Sequence, residues 1–452
     1  MRDLFKNKKV VVMGLGLHGG GVGTAKFFCQ QKAKVLVTDL KTKEQLKESI
    51  RKLRSLPVKY VLGRHRKEDF INADLIVKNP DVSGNSVYLK AARKNRVPIE
   101  TDISLFFKLS RADIIGVTGT KGKSTVATLA FLLLKRKFPK TLLAGNIGTS
   151  PLEILSKGGR GAKVILELSS FALEDLERSP SIAVITNIFP DHLNRYKNMN
   201  DYIKAKKAIF QHQKKKDILV LNHDNLPTRE FSSFAKSKVY FYSRKTRTSG
   251  CFLRDKKIFF NGEKNPVCKL DELKVYGSHN VSNVLAALSV AKLLKVSPRD
   301  IKKVLRLFKG VPSRQEFVGE NKGVKYFNDT TATMPVALRE SILTMAERFP
   351  NSKLVLIAGG QNKKLDYKVL AKGIKGKVGC LILLPGTASN MIKKQIGKGI
   401  KVFSAASMKG AVSKASEIAK KGDIVLLSPG AASFNLFKNE FDRGKQFIDL
   451  VR

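Results

Sequence analysis

The chain has 452 residues, 42% of them hydrophobic, and its longest apolar run, Val126–Leu134, is too short to cross a membrane. Its length predicts two to four domains, and its four cysteines, which form no C-x-x-C pair, predict reduced thiols in a cytoplasmic protein. The net charge of +48 would attract polyanions, but the basic residues are mostly lysines spread along the whole chain without an RNA-binding signature, so we expect no nucleic-acid partner.

The first stretch, from Lys8 to about Phe107, alternates strand and helix patterns. Such alternation is typical of a mostly parallel sheet with helices on its faces. The predicted strands are Lys9–Met13, Lys34–Thr38, Asp74–Lys78 and Val97–Glu100, and the predicted helices include Gly23–Gln31 and Lys43–Leu53.

A glycine-rich turn follows the first of these strands. Gly14-Leu-Gly-Leu-His-Gly19 has the G-x-G-x-x-G form of a dinucleotide-binding turn, and Asp39 follows about 20 positions on. Taken alone, the pattern predicts an NAD-dependent oxidoreductase. It requires only a pyrophosphate at a helix N-terminus, however, and any nucleoside diphosphate supplies one. A tight turn without a ligand is the structural alternative.

The second stretch opens with a phosphate-binding loop, Gly116-Val-Thr-Gly-Thr-Lys-Gly-Lys-Ser-Thr125. It lies between the end of a predicted strand and a predicted helix, Thr125–Leu134, so its backbone N–H groups can face one anion. Lys123 can reach the β- and γ-phosphates, and Ser124 can ligate Mg²⁺. We therefore predict ATP binding, against the alternative of a strand-to-helix turn with a surface lysine.

The spacing of this loop departs from the usual G-x-x-x-x-G-K-[ST] pattern. Five residues instead of four separate Gly116 from Gly122. The working loop is therefore the shorter Gly119-Thr-Lys-Gly-Lys-Ser124.

Two further polar residues follow predicted strands of the second stretch. Glu167 lies at the carboxyl end of the strand Lys163–Leu168, and His192 follows the strand Ile182–Asn187. Open α/β sheets bind their ligands at the carboxyl ends of strands. Mg²⁺ takes few protein ligands and completes its coordination with phosphate oxygens and water. We therefore predict that Ser124, Glu167 and His192 bind Mg²⁺ as an incomplete set of ligands. The stretch continues with a predicted strand at Ile218–Leu221 and helices from Val281 to about Lys309.

The third stretch begins after Gly310-Val-Pro312 and repeats the α/β alternation of the first. Its predicted strands are Lys325–Asn328, Lys353–Ala358, Cys380–Leu384, Lys401–Ser404 and Asp423–Ser428. The chain is thus predicted to form three α/β domains, at residues 1–107, 108–310 and 311–452.

In their order along the chain, several motifs resemble those of the Mur ligases, ATP-dependent amide-forming enzymes of cell-wall precursor synthesis. Those of the central stretch are Thr118-Gly-Thr-Lys-Gly-Lys-Ser-Thr125, Gly145-Asn-Ile-Gly148, Glu167-Leu-Ser-Ser170, Asp191-His192 and Gly277-Ser-His-Asn280. Those of the third are Asn328-Asp-Thr-Thr-Ala-Thr333, Gly359-Gly360 with Lys363, and Leu427-Ser-Pro-Gly-Ala-Ala-Ser433. These last resemble the D-glutamate-adding branch of the family.

The resemblance implies a fold and a set of site residues. The fold is Rossmann-like at both ends, with a P-loop ATPase-like parallel sheet in the centre. ATP would be bound by Gly119, Thr120, Lys121, Gly122, Lys123, Ser124, Thr125, Asn280, Asn283, Arg314 and Asp329, and a UDP-linked substrate by Gly14, Leu15, Gly16, Leu17, His18, Gly19, Asp39 and Asn146. Lys123, Glu167, His192 and Lys206 would be catalytic, with Ser124, Glu167, His192 and a carbamylated Lys206 as metal ligands, and Thr333, Lys363 and Ser433 would bind glutamate.

Two positions depart from the pattern of this branch. Pro312-Ser-Arg314 stands where the family often has Pro-His-Arg, and Thr331 stands where it has a lysine. The contribution of that lysine must therefore be absent or come from elsewhere. The Asp-Asn-Pro-Arg motif of the diaminopimelate- or lysine-adding ligases does not occur in the chain.

By this resemblance we expect a cytoplasmic, monomeric ligase that joins UDP-N-acetylmuramoyl-L-alanine to D-glutamate, with ATP and two Mg²⁺ ions as cofactors and no membrane partner. A sister ligase and a folylpolyglutamate-type synthase are the nearest alternatives, and the N-terminal glycine turn weighs against the second. An NAD-linked oxidoreductase would leave the phosphate loop, Glu167 and His192 unexplained. A nucleic-acid-dependent ATPase is supported by charge alone.

Overall fold

The computed structural model describes residues 3–17, 19–192, 195–275, 277–363, 365–371, 374, 376–396, 399–433 and 436–452. The fold divides into two compact units, Met1–Leu270 with Ser282–Val304 and Asp271–Val281 with Leu305–Arg452. In the described stretches, no helix combines the length and apolarity needed to cross a membrane. The first unit contains the first predicted α/β stretch and most of the second, so the boundary expected at residue 107 stays a prediction.

The N-terminal sheet is parallel throughout, with strand order β3-β2-β1-β4-β5. Its elements are β1 (Lys9–Met13), α1 (Gly20–Gln30), β2 (Lys34–Asp39), α2 (Lys47–Arg51), β3 (Val58–Leu62), α3 (Lys67–Ile71), β4 (Leu75–Lys78), α4 (Val87–Lys94), β5 (Ile99–Glu100) and α5 (Asp102–Leu109). The strand order reverses direction beside β1, and the glycine turn between β1 and α1 opens there, where such sheets bind ligands.

The central sheet is also parallel, with order β11-β10-β9-β6-β8-β7. Its elements are β6 (Asp113–Thr118), α6 (Lys123–Lys137), β7 (Leu142–Gly145), β8 (Lys163–Glu167), α7 (Ser170–Leu173), β9 (Ile182–Ile185), α8 (Met199–Gln211), β10 (Ile218–Asn222), α9 (Leu226–Glu230) and β11 (Lys238–Tyr242), with short 3₁₀ helices at Pro151–Ile154 and Phe231–Phe234. The phosphate loop joins β6 to α6. In the sheet, the strand that carries the loop lies between β8 and β9. The carboxyl ends of those neighbours carry Glu167 and the segment leading to His192.

A small antiparallel sheet and two helices follow. The sheet consists of β12 (Cys251–Arg254), β13 (Lys257–Phe260) and β14 (Cys268–Lys269); a 3₁₀ turn at Leu270–Glu272 leads to α10 (Ser278–Leu293) and α11 (Pro298–Leu307). This sheet was not predicted from the sequence.

The C-terminal sheet has order β15-β16-β20-β17-β18-β19, with β15 antiparallel and the rest parallel. Its elements are β15 (Glu316–Asn321), β16 (Val324–Asn328), α12 (Pro335–Arg348), β17 (Leu354–Gly359), a 3₁₀ helix at Lys368–Ala371, β18 (Cys380–Leu384), α13 (Ser389–Ile396), β19 (Lys401–Ser404), α14 (Met408–Ile418), β20 (Ile424–Leu427) and α15 (Glu440–Val451). Both faces of this sheet are covered: on β17, Leu354 and Leu356 pack on one side and Val355 and Ile357 on the other. The predicted α/β fold class is confirmed.

Candidate active site

The phosphate loop between β6 and α6 has a backbone that requires glycine at two positions. Gly119 and Gly122 have φ angles of 139° and 85°, a region that residues with a side chain rarely adopt. A Cβ at Gly119 would collide with the Thr186 hydroxyl, and one at Gly122 with the Asn283 amide oxygen. The loop therefore packs closely against the segment after β9 and against α10.

The segment after β9 holds this loop through its backbone. Asn187 accepts the Thr120 N–H at its carbonyl, at 2.8 Å, and the Lys121 N–H at its side-chain oxygen, at 2.9 Å. In return, the Thr186 hydroxyl donates to the Lys121 carbonyl at 2.6 Å. Asn187 was not among the predicted site residues, although its place at the carboxyl end of the predicted strand Ile182–Asn187 could have indicated it.

The Thr120 side chain makes a second connection. Its hydroxyl donates to the Phe189 carbonyl (3.2 Å), accepts from the Phe189 N–H (3.0 Å) and bonds the Tyr202 hydroxyl (3.0 Å). Thr120 is 4% exposed, so these bonds are shielded from water. They join the loop both to the segment that carries His192 and to α8.

Two lysine amines converge on one carbonyl of the loop. The Lys123 Nζ donates to the carbonyls of Gly119 and Thr120, each at 3.0 Å. The Lys206 Nζ, from α8, donates to the same Gly119 carbonyl at 3.0 Å and to the Thr118 hydroxyl at 3.2 Å. A phosphate anion would draw Lys123 away from these carbonyls, since a charged acceptor binds an ammonium more strongly than a neutral one.

Lys206 is 1% exposed. Burial, followed by the positive charge of Lys123, lowers the pKa of Lys206 well below its ordinary value, against the opposing effect of Asp191 and Glu167. The Lys206 amine is therefore far more available in its neutral, nucleophilic form than a surface lysine.

Glu167 lies at the end of β8, in register with Val117 of β6 and Gly145 of β7. Its side chain is 2% exposed, and its Oε2 has no hydrogen-bond partner among the described residues. A buried carboxylate oxygen without a partner is unfavourable, so a cation at this place would satisfy it. The donor type suits a hard ion such as Mg²⁺.

The His192 ring lies edge-on to Phe171, with ring centroids 4.8 Å apart. The His192 side chain is 44% exposed, and the partial desolvation that remains lowers its pKa; the nearby charge of Lys123 adds to this effect, although Asp191 opposes it. A neutral imidazole is the form that binds a metal. Within the described part of the chain, no three His, Cys, Asp or Glu side chains are placed to hold an ion by themselves, so phosphate and water would have to complete the shell.

The N-terminal glycine turn has φ angles of 92° at Gly14, 64° at Gly16 and 94° at Gly19. The Asp39 carboxylate accepts the N–H of Gly16 at 3.1 Å and that of Lys41 at 2.9 Å. Asp39 thus holds the turn in place through its backbone.

Other predicted residues of this turn differ in exposure. The Leu15 side chain is fully buried, so only its backbone could meet a ligand, whereas Leu17 is partly exposed. His18 lies outside the described residues. Asn146 is exposed, and its N–H donates to the Glu167 carbonyl at 2.9 Å. A Cβ at Gly19 would lie 3.0 Å from the Gly148 carbonyl, so the turn adjoins the loop of Asn146.

In the second unit, the three predicted glutamate-binding residues lie on adjoining loops. The Lys363 Nζ donates to the Thr333 hydroxyl at 3.2 Å. Gln361 and Ala432 exchange two backbone hydrogen bonds of 3.0 Å, which places Ser433 next to the loop of Lys363. The structure thus places Thr333, Lys363 and Ser433 on neighbouring loops, although 100 positions of the chain separate the first of them from the last.

Asp329, predicted to contact ATP, is 5% exposed. Its carboxylate accepts the hydroxyls of Ser341 and Ser428 and the N–H of Gln315. Burial raises its pKa to about 6, against these hydrogen bonds and the nearby charge of Arg314. Its observed role is to hold the loop after β16 in place.

The two departures from the family pattern lie in contact. Both the hydroxyl and the N–H of Thr331 donate to the Ser313 carbonyl, at 2.9 and 3.3 Å.

Asn280 and Asn283 lie one turn apart on α10, and Asn283 is the one packed on the phosphate loop.

Three family models match the chain in sequence. Residues 8–101 match the Mur ligase MurD-like N-terminal domain, residues 117–291 the Mur ligase middle domain, and residues 313–430 the glutamate ligase domain of Mur ligases. The chain belongs to the Mur ligase family. Members of this family use ATP and Mg²⁺.

Individual relatives agree with this assignment. The chain is 40% identical to a UDP-N-acetylmuramoylalanine--D-glutamate ligase of Roseiflexus sp. and 41% identical to that of Borreliella afzelii, over at least 98% of each chain. Among solved structures, it is similar in fold to the UDP-N-acetylmuramate-alanine ligase MurC of Thermotoga maritima, with a TM-score of 0.68, 20% identity and coverage of 98% and 99% of the two chains. MurF ligase of Thermotoga maritima in complex with ADP gives a TM-score of 0.61 at 18% identity, with coverage of 100% and 98%.

The contacts of Thr120 generate a prediction for this Mur ligase. Thr120→Val should weaken ATP binding by about tenfold, because the Phe189 backbone and the Tyr202 hydroxyl lose a shielded partner worth roughly 1–3 kcal/mol. Thr120→Ser, which keeps the hydroxyl, should bind ATP like the unmodified protein. Isothermal titration with a non-hydrolysable ATP analogue measures both. Equal weakening in the two variants, or none in either, would contradict an anchoring role for the hydroxyl.

Proposed function

We propose that the chain is an ATP-dependent ligase that joins the alanyl carboxylate of UDP-N-acetylmuramoyl-L-alanine to the amine of D-glutamate in peptidoglycan precursor synthesis. The observation that supports this most strongly is the convergence of the phosphate loop, the buried amine of Lys206 and a Glu167 oxygen that no described residue bonds, all at one sheet edge. The full-length similarity to D-glutamate ligases supports the choice of substrates.

ATP is placed by the phosphate loop. The N–H groups of Gly122 to Thr125 would face the phosphates at the start of α6, while those of Thr120 and Lys121 are bonded to Asn187, and Lys123 neutralises the charge that moves during phosphoryl transfer. Asn283 packs on Gly122 and so borders the nucleotide, with Asn280 one turn earlier on the same helix. We assign Arg314 and Asp329 to the nucleotide by resemblance, with Asp329 acting through the loop that it holds.

Ser124, Glu167 and His192 are the residues that would hold Mg²⁺. They fit it, because Glu167 offers a buried oxygen that has no hydrogen-bond partner in the described part of the chain, and the lowered pKa of His192 favours its neutral form. The ion would supply charge neutralisation at the transferred phosphoryl group.

Lys206 becomes a further oxygen ligand if its neutral amine attacks CO₂. An N–C bond forms, one C–O π bond opens, and the nitrogen releases a proton, which leaves a carbamate anion. The lowered pKa of Lys206 favours this step because the amine attacks only when unprotonated. The new anion would lie near the positive charge of Lys123 and the negative charge of Glu167, and Mg²⁺ would supply the further positive charge that two buried anions require.

The nucleotide-linked substrate is held by the glycine turn of the N-terminal sheet. The N–H groups of Leu15, Leu17 and Gly19 would face the diphosphate, while the N–H groups of Gly14 and Gly16 hold the turn through the Thr38 carbonyl and the Asp39 carboxylate. Because this turn adjoins the loop of Asn146, which in turn is bonded to Glu167, the substrate can extend from the turn towards the phosphate loop.

D-Glutamate is held by Thr333, Lys363 and Ser433. The Lys363 ammonium suits a dicarboxylate, and the two hydroxyls accept or donate as its orientation requires.

The reaction then follows in two displacements. The alanyl carboxylate attacks the γ-phosphorus, the bond to ADP breaks, and an acyl phosphate forms. The glutamate amine attacks the acyl carbon, an amide forms, and inorganic phosphate leaves as the amine loses a proton.

One chain contains every assigned residue, which supports a monomer; the free cysteines fit a cytoplasmic protein. The domains are proposed to end at residues 107 and 310.

The function is tested by ADP release measured with each substrate omitted in turn. We expect release to require both UDP-N-acetylmuramoyl-L-alanine and D-glutamate, with L-glutamate at least about tenfold poorer. Lys123→Met supplies the background. Release that ignores the nucleotide-sugar, or that follows added DNA or RNA instead, would refute the proposal.

Carbamylation of Lys206 predicts a dependence on CO₂. Activity should fall roughly 100-fold in buffers stripped of bicarbonate at moderate pH and return when it is added. With ¹³C-bicarbonate, a carbamate signal should appear in the unmodified protein and in Lys204→Ala, which alters an exposed lysine of the same helix, but not in Lys206→Ala. A signal that persists in Lys206→Ala, or a rate unaffected by stripping, would count against carbamylation.

A further inference from the structure

Arg443, on α15, is the largest of the fully buried side chains in the described part of the chain. Burial lowers the pKa of its guanidinium to about 10, so it stays charged at neutral pH. Its hydrogen bonds go to two carbonyls and a hydroxyl, and no proposed step of the reaction uses it. A buried cation is costly to keep in a protein interior, and although the carboxylates of Glu440 and Asp329 lie near enough to favour its charge, the groups that accept its hydrogen bonds are neutral.

The guanidinium connects two loops that the reaction needs. Its Nε donates to the Thr330 hydroxyl at 3.1 Å, and one terminal nitrogen donates to the Thr330 carbonyl at 2.8 Å. The other terminal nitrogen donates to the Ala431 carbonyl at 3.3 Å. Thr330 lies three residues before Thr333, and Ala431 lies two residues before Ser433. One rigid fork therefore spans the loop after β16 and the loop after β20.

The N-terminal part of α15 also packs against Thr330 through other residues. The Thr330 hydroxyl donates to the Glu440 carbonyl at 2.7 Å, in the first turn of α15. Gly444 lies so close that a Cβ there would come within 2.5 Å of the Thr330 methyl group. The Gly430 N–H donates to the Ala332 carbonyl at 2.7 Å and joins the two loops directly. The helix, and not only its arginine, is thus seated on Thr330.

We propose that Arg443 is a positioning residue for the amino-acid substrate: it fixes the spacing between Thr333 and Ser433 without touching the substrate. This inference rests on the proposed glutamate pocket. The guanidinium suits the task because it is planar and presents its donors at fixed angles. A lysine at this position would keep the charge but could not reach both carbonyls with the same geometry.

The test compares the KM values of Arg443→Lys for D-glutamate, ATP and the nucleotide-sugar. Displacing a binding loop by about 1 Å can cost up to roughly 100-fold, so we expect the KM for D-glutamate to rise about 10- to 100-fold. The other two KM values should stay within about twofold, and kcat at saturating D-glutamate should largely recover. Lys445→Met, an exposed position on the same helix, is the matched control and should leave all values unchanged.

Other outcomes decide against the proposal. A lower melting temperature with an unchanged KM for D-glutamate would show that Arg443 only stabilises the fold. A similar rise of all three KM values, or equal effects in Lys445→Met, would overturn it as well. If Arg443→Lys does not fold, Thr330→Val, which removes one acceptor of the fork, takes its place with the same expected selectivity, and an unchanged KM for D-glutamate in that variant would be decisive.

A separate variant distinguishes failure of the pocket from failure of this inference. Lys363→Met should raise the KM for D-glutamate whether or not Arg443 positions the loops. If Lys363→Met leaves that KM unchanged, the assigned pocket is wrong. If Lys363→Met raises it and Arg443→Lys does not, the pocket stands and the positioning role of Arg443 falls.

Discussion

The central site depends on the Gly119 carbonyl, which accepts hydrogen bonds from the amines of both Lys123 and Lys206. Two ammonium groups so close in a buried place would repel each other strongly, and the pKa of Lys206 is accordingly held low by burial and by Lys123. One lysine can therefore carry the charge that phosphate needs, while the other is left as a neutral amine. The different tasks assigned to these lysines follow from this arrangement.

In each of the three α/β sheets, the candidate site residues lie at the carboxyl ends of the strands. Parallel strands place their carboxyl ends on one side, so loops that are distant in sequence meet there. In the N-terminal sheet this gathers the glycine turn and Asp39; in the central sheet, the phosphate loop, Glu167 and the segment before His192; in the C-terminal sheet, the loops of Thr333, Lys363 and Ser433. The carboxyl ends of the parallel strands therefore offer a candidate binding site for each of the three substrates of the ligase.

Much of this arrangement could be predicted from the sequence, because long apolar runs bounded by glycine mark buried parallel strands. The strands β1, β18 and β19 were predicted to the residue. The edge strand β3 was missed because Val58–Leu62 is only partly buried and its pattern is weak. The small antiparallel sheet was missed because its strands are short. Only Lys47–Arg51 of the predicted helix at Lys43–Leu53 is helical.

The site was harder to predict than the fold, since a motif gives a residue's place but not its hydrogen-bond partners. Asp39 lies where the fingerprint puts it, yet its carboxylate holds the turn. Lys206 could not be distinguished by sequence from Lys204 and Lys207, and only burial separates it from them. Arg443 belongs to no motif that we recognised, because its partners are backbone carbonyls more than 10 and more than 100 positions away.

The central claim is that the site activates a carboxylate by phosphorylation, and isotope transfer tests it most directly. UDP-N-acetylmuramoyl-L-alanine labelled with ¹⁸O in its alanyl carboxylate is turned over with ATP and D-glutamate, and the phosphate is analysed by mass spectrometry. An acyl phosphate requires one ¹⁸O atom to appear in each inorganic phosphate released with the amide product. Amide formation with unlabelled phosphate would contradict the claim.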